Sequence, residues 1–192
     1  MKPAAVFFDR DNTLIVNDGY LGDPNGVILV AGAAAAIARA HERGFLVVTV
    51  SNQSGVAKGL FTEEAVSAVN GRMEQLLLRE NPRATIDRNE FCPFHPQAII
   101  DRYRMDSDLR KPKPGMILRA ARALDIDLSR SWLIGDAPRD IAAGKAAGCR
   151  TILLRLPGIP TSGAVNEDMV APDFNATSLA EAMEFVSRDA AN

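Results

Sequence analysis

Apolar and polar positions alternate in blocks along this chain, and the block lengths predict strands and helices in turn. AAVFF (4–8) is a short apolar run that stops at Asp9, as a buried strand does. AAAAIARAHER (33–43) carries the composition of a surface helix and ends at Gly44, a residue suited to the turn that closes a helix. FLVVTVS (45–51) is a β-branched run typical of strands buried on both faces. Thr62 is placed to cap a helix over 63–79, with Glu63 and Glu64 favourable in its first turn. IDRNEF (86–91) reads as a weaker strand and GMILRAARALDI (115–126) as an amphipathic helix. SWLIGD (131–136) reads as a strand, PRDIAAGKAAG (138–148) as a helix, TILLRL (151–156) as a strand and SLAEAMEFVSR (178–188) as the closing helix.

Strands alternating with helices predict an α/β fold with a parallel sheet covered on both faces. No repeat, low-complexity block or linker divides the chain, so its 192 residues, 47% hydrophobic, are expected to form one domain over 1–192. Ligands of such sheets bind outside the carboxyl ends of the strands. The residues after each strand are therefore the ones to inspect. DRDNT (9–13) follows the first, SNQSG (51–55) the second, and GDAPRD (135–140) ends the run that begins at Ser131. RKPKPG (110–115) precedes a helix and belongs to the same rim. Asp9, Asp11, Asp136 and Asp140 brought together would repel one another unless a cation lay among them. All-oxygen ligands favour a hard cation, and Mg²⁺ commonly bridges carboxylates to phosphate. Lys111 and Arg110 add positive charge, and Ser51 and Asn52 add neutral donors. The set suits a phosphoryl group held between Mg²⁺ and a lysine.

Composition narrows the class further. The net charge is −2 and no Lys/Arg run stands out, so the footprint of a nucleic-acid or membrane-surface binder is absent. The longest uncharged apolar-rich stretch, 27–38, is shorter than the roughly 18 residues a membrane span needs. The apolar stretch of MKPAAVFFD is cut by Asp9, so no signal peptide is expected. Cys92 and Cys149 read as free thiols in a reducing cytosol, which gives a cytoplasmic expectation.

Taken in order, these motifs resemble those of the haloacid dehalogenase (HAD) superfamily of phosphatases. DRDNT matches D-x-D-x-T, Ser51 the Ser/Thr after the second strand, Lys111 the lysine, and GDAPRD the pattern G-D-x-x-x-D. More narrowly, GYLGDP (19–24), SNQSGVAKG (51–59), CPFHP (92–96) and RKPKPGM (110–116) are similar to the branch of heptose-1,7-bisphosphate 7-phosphatases and histidinol-phosphate phosphatases. The likeness fades after about Leu156.

The resemblance implies a three-layer Rossmann-like HAD core with a minimal cap, formed by a short insertion after DRDNTL and by the 92–109 loop. It implies a monomeric, Mg²⁺-dependent phosphoric monoester hydrolase acting on a sugar bisphosphate, with heptose 1,7-bisphosphate as the expected substrate. Histidinol phosphate or another small phosphomonoester is the alternative. A non-catalytic phosphosugar-binding relative is the reading from another class, but a binding module has no need for Asp11. By the resemblance, Asp9 is the nucleophile and forms an aspartyl-phosphate, and Asp11 is the general acid and base. Ser51 and Lys111 stabilise the transferring phosphoryl group. Asp9 and Asp136 offer carboxylates to Mg²⁺ and Asp11 its backbone carbonyl. Arg110 holds a substrate phosphate, and Asn17, Gly19, Tyr20, Asn52, Gln53 and Ser54 fall where this branch meets its substrate. Asp140 orients Lys111 or a metal-bound water, and the Thr13 hydroxyl bonds the loop.

Three departures from the branch stand out. Asn12 replaces the usual Gly, and Asn tolerates unusual backbone angles. Ala137 stands where relatives can carry a substrate-facing Lys. The four positions that hold a structural zinc in many members read Cys92, Phe94, Ser107 and Leu109, so no structural zinc is expected, and the 92–109 loop must be held by packing and hydrogen bonds. His41 on a polar helix face and Lys113 are expected to be solvated.

Overall fold

The computed structural model describes residues 2–159 and 170–189. In chain order the strands are β1 (Ala5–Phe8), β2 (Ile15–Val16), β3 (Ile28–Leu29), β4 (Leu46–Asn52), β5 (Arg88–Cys92), β6 (Trp132–Gly135), β7 (Arg150–Leu154) and β8 (Phe174–Ala176). The helices are α1 (Ala33–Glu42), α2 (Ser54–Ala57), α3 (Glu63–Glu80), α4 (Gly115–Leu124), α5 (Pro138–Ala146) and α6 (Leu179–Asp189). Six strands form one parallel sheet in the order β5-β4-β1-β6-β7-β8.

The side chains of β1 divide the molecule into its layers. Val6 and Phe8 point into a core shared with Val47, Trp132 and Ile134 and with residues of α1, α3 and α6. Ala5 and Phe7 point the other way, into a core with Val48, Val50 and Leu133 and residues of α4 and α5. This alternation puts one helical layer on each face, the three-layer α/β architecture the pattern predicts. Each large apolar side chain taken fully from water contributes roughly 1.5–3 kcal/mol, and Phe7, Phe8 and Trp132 are all at most 1% exposed.

The long helix starts as its sequence predicts, with the Thr62 hydroxyl accepting from the Ala65 N–H at 3.2 Å. Several elements are additional. β2 and β3 pair antiparallel within the insertion after β1 and form a small ribbon separate from the main sheet. β8 extends the sheet beyond β7, and α2 adds one turn after β4. Runs of two to four residues are too short for periodicity to separate from loop.

The 92–109 loop is held by contacts between side chains. Cys92, Phe94 and Leu109 pack into the core that contains Met116 and Ile117. Phe94 and Tyr103 meet as a tilted pair at 6.0 Å, and the Tyr103 hydroxyl donates to Glu63 at 2.7 Å. His41 differs from its solvated expectation: it is half-buried, with Nε2 at 2.9 Å from the Thr85 carbonyl oxygen. Lys113 is partly exposed and pairs with Asp106 at 2.8 Å. Among the described residues no helix is long and apolar enough to cross a membrane.

Candidate active site

β1 lies between β4 and β6, and the chain builds outward from it in both directions. The crevice at its carboxyl end is the topological switch point, where doubly wound sheets bind ligands. Asp9 is the first residue past β1, and its N–H donates to the Ile134 carbonyl at 2.9 Å, which ties it to β6. The loops after β4 and β6 and the segment before α4 all reach the same point.

Lys111 is their junction. Its ammonium is buried and lies 2.8 Å from Asp9 Oδ1, 2.7 Å from Asp140 Oδ1 and 2.6 Å from the Val50 carbonyl oxygen. Asn52 fixes the lysine's backbone from both sides: its Nδ2 donates to the Lys111 carbonyl at 2.9 Å and its Oδ1 accepts from the Lys111 N–H at 3.0 Å. Asn52 lines the cavity, but its amide, expected to meet substrate, is occupied in setting Lys111. Asp140 is occupied as well. Oδ1 faces Lys111, and Oδ2 accepts from the Ala137 N–H at 3.0 Å, closing the first turn of α5. A Cβ on Gly135 would stand 2.6 Å from Asp140, so only glycine lets the aspartate sit there.

Asp11 faces a different set of groups. Oδ1 accepts from Asn17 Nδ2 at 2.6 Å and Arg10 Nη2 at 3.1 Å, and Oδ2 from Gln53 Nε2 at 2.9 Å and the Ser51 hydroxyl at 3.0 Å. Burial alone would raise this carboxyl, but the Arg10 charge and the bonds from Arg10, Asn17 and Ser51 hold it below the usual carboxylate range. The loop turns at Asn12, whose φ of 57° is the left-handed conformation its residue type tolerates, and its Oδ1 accepts from the Asn17 N–H at 2.9 Å. Thr13 corrects an expectation. Its hydroxyl is buried without a hydrogen-bond partner, and backbone bonds close the loop instead, from Asn12 N–H to the Ile15 carbonyl and from Leu14 and Ile15 N–H to that of Arg10.

The electrostatics call for a cation. Asp9, Asp136 and Asp140 can each bring one oxygen within 4.8 Å of the others, and all three are buried. Burial pushes the Asp9 carboxyl up to about 8, the charges of Asp140, Asp136 and Asp11 push the same way, and Lys111 opposes them. One lysine therefore does not balance the cluster. The donors are all oxygen, which suits a hard divalent ion such as Mg²⁺. Asp140 already meets Lys111 and the Ala137 N–H, so Asp9 and Asp136 are the candidates to hold it. The Asp11 carboxylate lies outside this group.

Above the cluster opens a cavity of about 430 Å³. Of the residues expected there, Asp9, Asp11, Asn17, Gly19, Tyr20, Asn52, Gln53, Ser54 and Arg110 line it. Ser51, Lys111, Asp136 and Asp140 are buried and absent from its lining. Arg110 Nη1 donates to the Ser54 hydroxyl at 2.8 Å. Asp18, Leu21 and Arg139 also line it and were not anticipated. Arg139 stands inside the GDAPRD motif, where its basic side chain was the available signal.

Known proteins resemble this chain in sequence and in fold. A HAD-hydrolase-like family model matches residues 108–182. The D-glycero-beta-D-manno-heptose-1,7-bisphosphate 7-phosphatase of Rhodopseudomonas palustris is 42% identical over 147 residues, 77% of this chain and 80% of the relative. That of Escherichia coli K12 is 33% identical over 184 residues, 96% of this chain and 94% of the relative. The chain belongs to the HAD phosphatases of this branch. A solved structure of the D,D-heptose 1,7-bisphosphate phosphatase of B. bronchiseptica, complexed with magnesium and phosphate, aligns with a TM-score of 0.78 at 28% identity, covering 97% of this chain and 99% of that one. The present HAD phosphatase is accordingly a phosphoric monoester hydrolase.

Proposed function

We propose that this phosphatase hydrolyses the 7-phosphate of a heptose 1,7-bisphosphate through an aspartyl-phosphate on Asp9. The observation that carries the reading is the disposition of the two aspartates: Asp9 among Lys111 and the acidic cluster, Asp11 turned away among neutral donors and Arg10. Both donors to Asp9, the Lys111 ammonium and the Arg10 N–H at 2.8 Å, fall on Oδ1, so Oδ2 is the oxygen for in-line attack on phosphorus. As that bond forms, the bond from phosphorus to the sugar oxygen breaks and the leaving oxygen takes a proton from Asp11. That carboxyl is ionised at rest and takes the proton from solvent when the negative charge of the substrate enters the cavity. Asp11 then takes a proton from the water that hydrolyses the acyl phosphate, which frees Asp9. Lys111 and Ser51 offset the phosphoryl charge as it moves, and Asp140 and Asn52 keep Lys111 in place. Asp9, Asp136 and the Asp11 carbonyl would hold Mg²⁺, which when bound would supply charge neutralisation at the phosphoryl group.

The substrate assignment is supported by the relatives and by the cavity. Arg110 and Arg139 both line it, close enough for Arg139 to contribute to lowering the Arg110 pKa after burial. Two guanidinium groups apart from Lys111 suit a second phosphate and oppose the cationic amine of histidinol phosphate. Asn17, Gly19, Tyr20, Gln53 and Ser54 are assigned to the sugar and its phosphates. Two buried free thiols fit a cytoplasmic protein, which we take to be monomeric and free of structural zinc. The test is phosphate release from purified heptose 1,7-bisphosphate and from histidinol phosphate, with and without Mg²⁺. Preference for the bisphosphate with dependence on Mg²⁺ supports the reading, and equal or reversed preference removes the substrate assignment.

A further inference from the structure

Arg10 stands between the two aspartates, and the chemistry above gives its side chain no step of its own. That side chain is 1% exposed. Nη2 donates to Asp11 Oδ1 at 3.1 Å, Nη1 donates to Asn70 Oδ1 at 2.9 Å, and Nε has no hydrogen-bond partner. A buried guanidinium carries a desolvation penalty of several kcal/mol. A plain tether between the loop and α3 could be built from two apolar side chains without it. Asn70 raises the same question. It interrupts the buried face of α3 between Val66, Val69, Met73 and Leu77, and its amide oxygen grips the far end of the guanidinium. The only acid that the Arg10 guanidinium meets among the described residues is Asp11. A rigid fork held at one end by a helix and at the other by a carboxylate fixes a direction, which an ammonium on a flexible stem does less well.

We infer that Arg10, anchored by Asn70, is a positioning residue that aims the Asp11 carboxyl at the oxygen leaving the substrate. The inference rests on Asp11 being the general acid. Its signature is a dependence on the leaving group. A sugar alkoxide needs a proton as its bond to phosphorus breaks, whereas the nitrophenolate of p-nitrophenyl phosphate leaves without one. Loss of folded protein or of phosphate binding would lower both reactions alike. Misdirection of the acid would lower only the first.

The experiment compares kcat/KM, which reports the steps up to phosphoryl transfer, for the alkyl bisphosphate and for p-nitrophenyl phosphate. General acid catalysis supplies about 10²–10⁴-fold. Arg10→Met should lose at least about 10²-fold on the alkyl ester and under about tenfold on the aryl ester. Arg10→Lys should fall between this variant and the parent. Asn70→Ala leaves Arg10 in place, should show a smaller loss of the same selective kind, and decides the matter alone if Arg10→Met does not fold. Asp11→Asn is the reference. A uniform loss in Asp11→Asn overturns its assignment as the acid. A selective loss there, with uniform losses in Arg10→Met or Asn70→Ala, overturns the positioning role alone.

Discussion

Asp9→Asn should make the metal-free protein more stable, by an amount that grows with pH. Burial and the neighbouring carboxylates raise the Asp9 carboxyl from 3.8 to about 8 despite Lys111. The folded protein thus holds a proton that the unfolded chain has released. Stability from this group is fully present below the unfolded value and is lost as pH climbs toward the folded one. Each pH unit in that window is worth about 1.4 kcal/mol, so ~3 kcal/mol disappear between pH 5 and pH 7. An asparagine cannot ionise, and its amide oxygen can still accept from Lys111.

The assay is urea unfolding of both proteins in EDTA at pH 5, 6, 7 and 8, with the difference between them read at each pH so that groups elsewhere cancel. The variant should gain on the parent by ~1.4 kcal/mol per unit and level off near pH 8. Excess Mg²⁺ should abolish that gain, because a cation bound to ionised Asp9 competes with the proton and the variant has less to offer it. A difference that stays flat from pH 5 to pH 8 in EDTA would refute the reasoning, since the acidic cluster would then not be strained without its cation.

The other expectations are simpler to test. Asp9→Asn should abolish phosphate release, and Asp11→Asn should lower it by about 10²–10⁴ in a turnover assay. EDTA should stop turnover and added Mg²⁺ should restore it; full activity in demetallated enzyme would contradict the Asp9–Asp136 site. Elemental analysis of protein prepared without added metal should find no stoichiometric zinc, and one zinc per chain lost together with the fold would show a site around Cys92 and His95. Burial pushes the Cys149 thiol up to about 12, so an aromatic disulfide reagent should reach it only on unfolding, and rapid labelling of the native protein at pH 8 would contradict that burial.

What the chain shows in one dimension and what it hides follow from range. The motif positions were legible because each sits where an apolar run stops: Asp9 after β1, Ser51 near the end of β4, Asp136 after β6. A polar residue there sits at the carboxyl edge of the sheet, in or just beneath the crevice. Partners were not legible. Asn52 lines the cavity where substrate is expected, but nothing in its position showed that its amide also meets the Lys111 backbone 59 residues further on. Thr13 was expected to bond the loop, yet its position in the motif says nothing about which backbone groups have already paired there. His41 lies on a helix face that looks polar, and Thr85 covers it from 44 residues away. Arg10 meets an asparagine across 60 residues. Long-range hydrogen bonds leave no periodic trace, whereas strand ends do.

By the resemblance, the 92–109 loop carries the positions at which many relatives hold zinc, and in this chain side-chain packing occupies them. Phe94 and Leu109 stand where ligands would be, and both pack with Cys92 against α4. Arg110 follows Leu109 directly, and its Nη1 reaches the Ser54 hydroxyl at 2.8 Å and the Phe94 carbonyl at 3.4 Å. The apolar cluster therefore fixes both ends of the segment that delivers Arg110 to the cavity. A zinc would hold those ends through directional bonds. Packing does the same through excluded water and close contact, a non-directional force that tolerates small shifts. The position of Arg110, and with it the grip on a second phosphate, should then depend on the fit of Phe94 and Leu109 and not on metal supply. With no zinc in that loop, a chelator should act on this enzyme only at the proposed Asp9–Asp136 cluster and leave the position of Arg110 as it was.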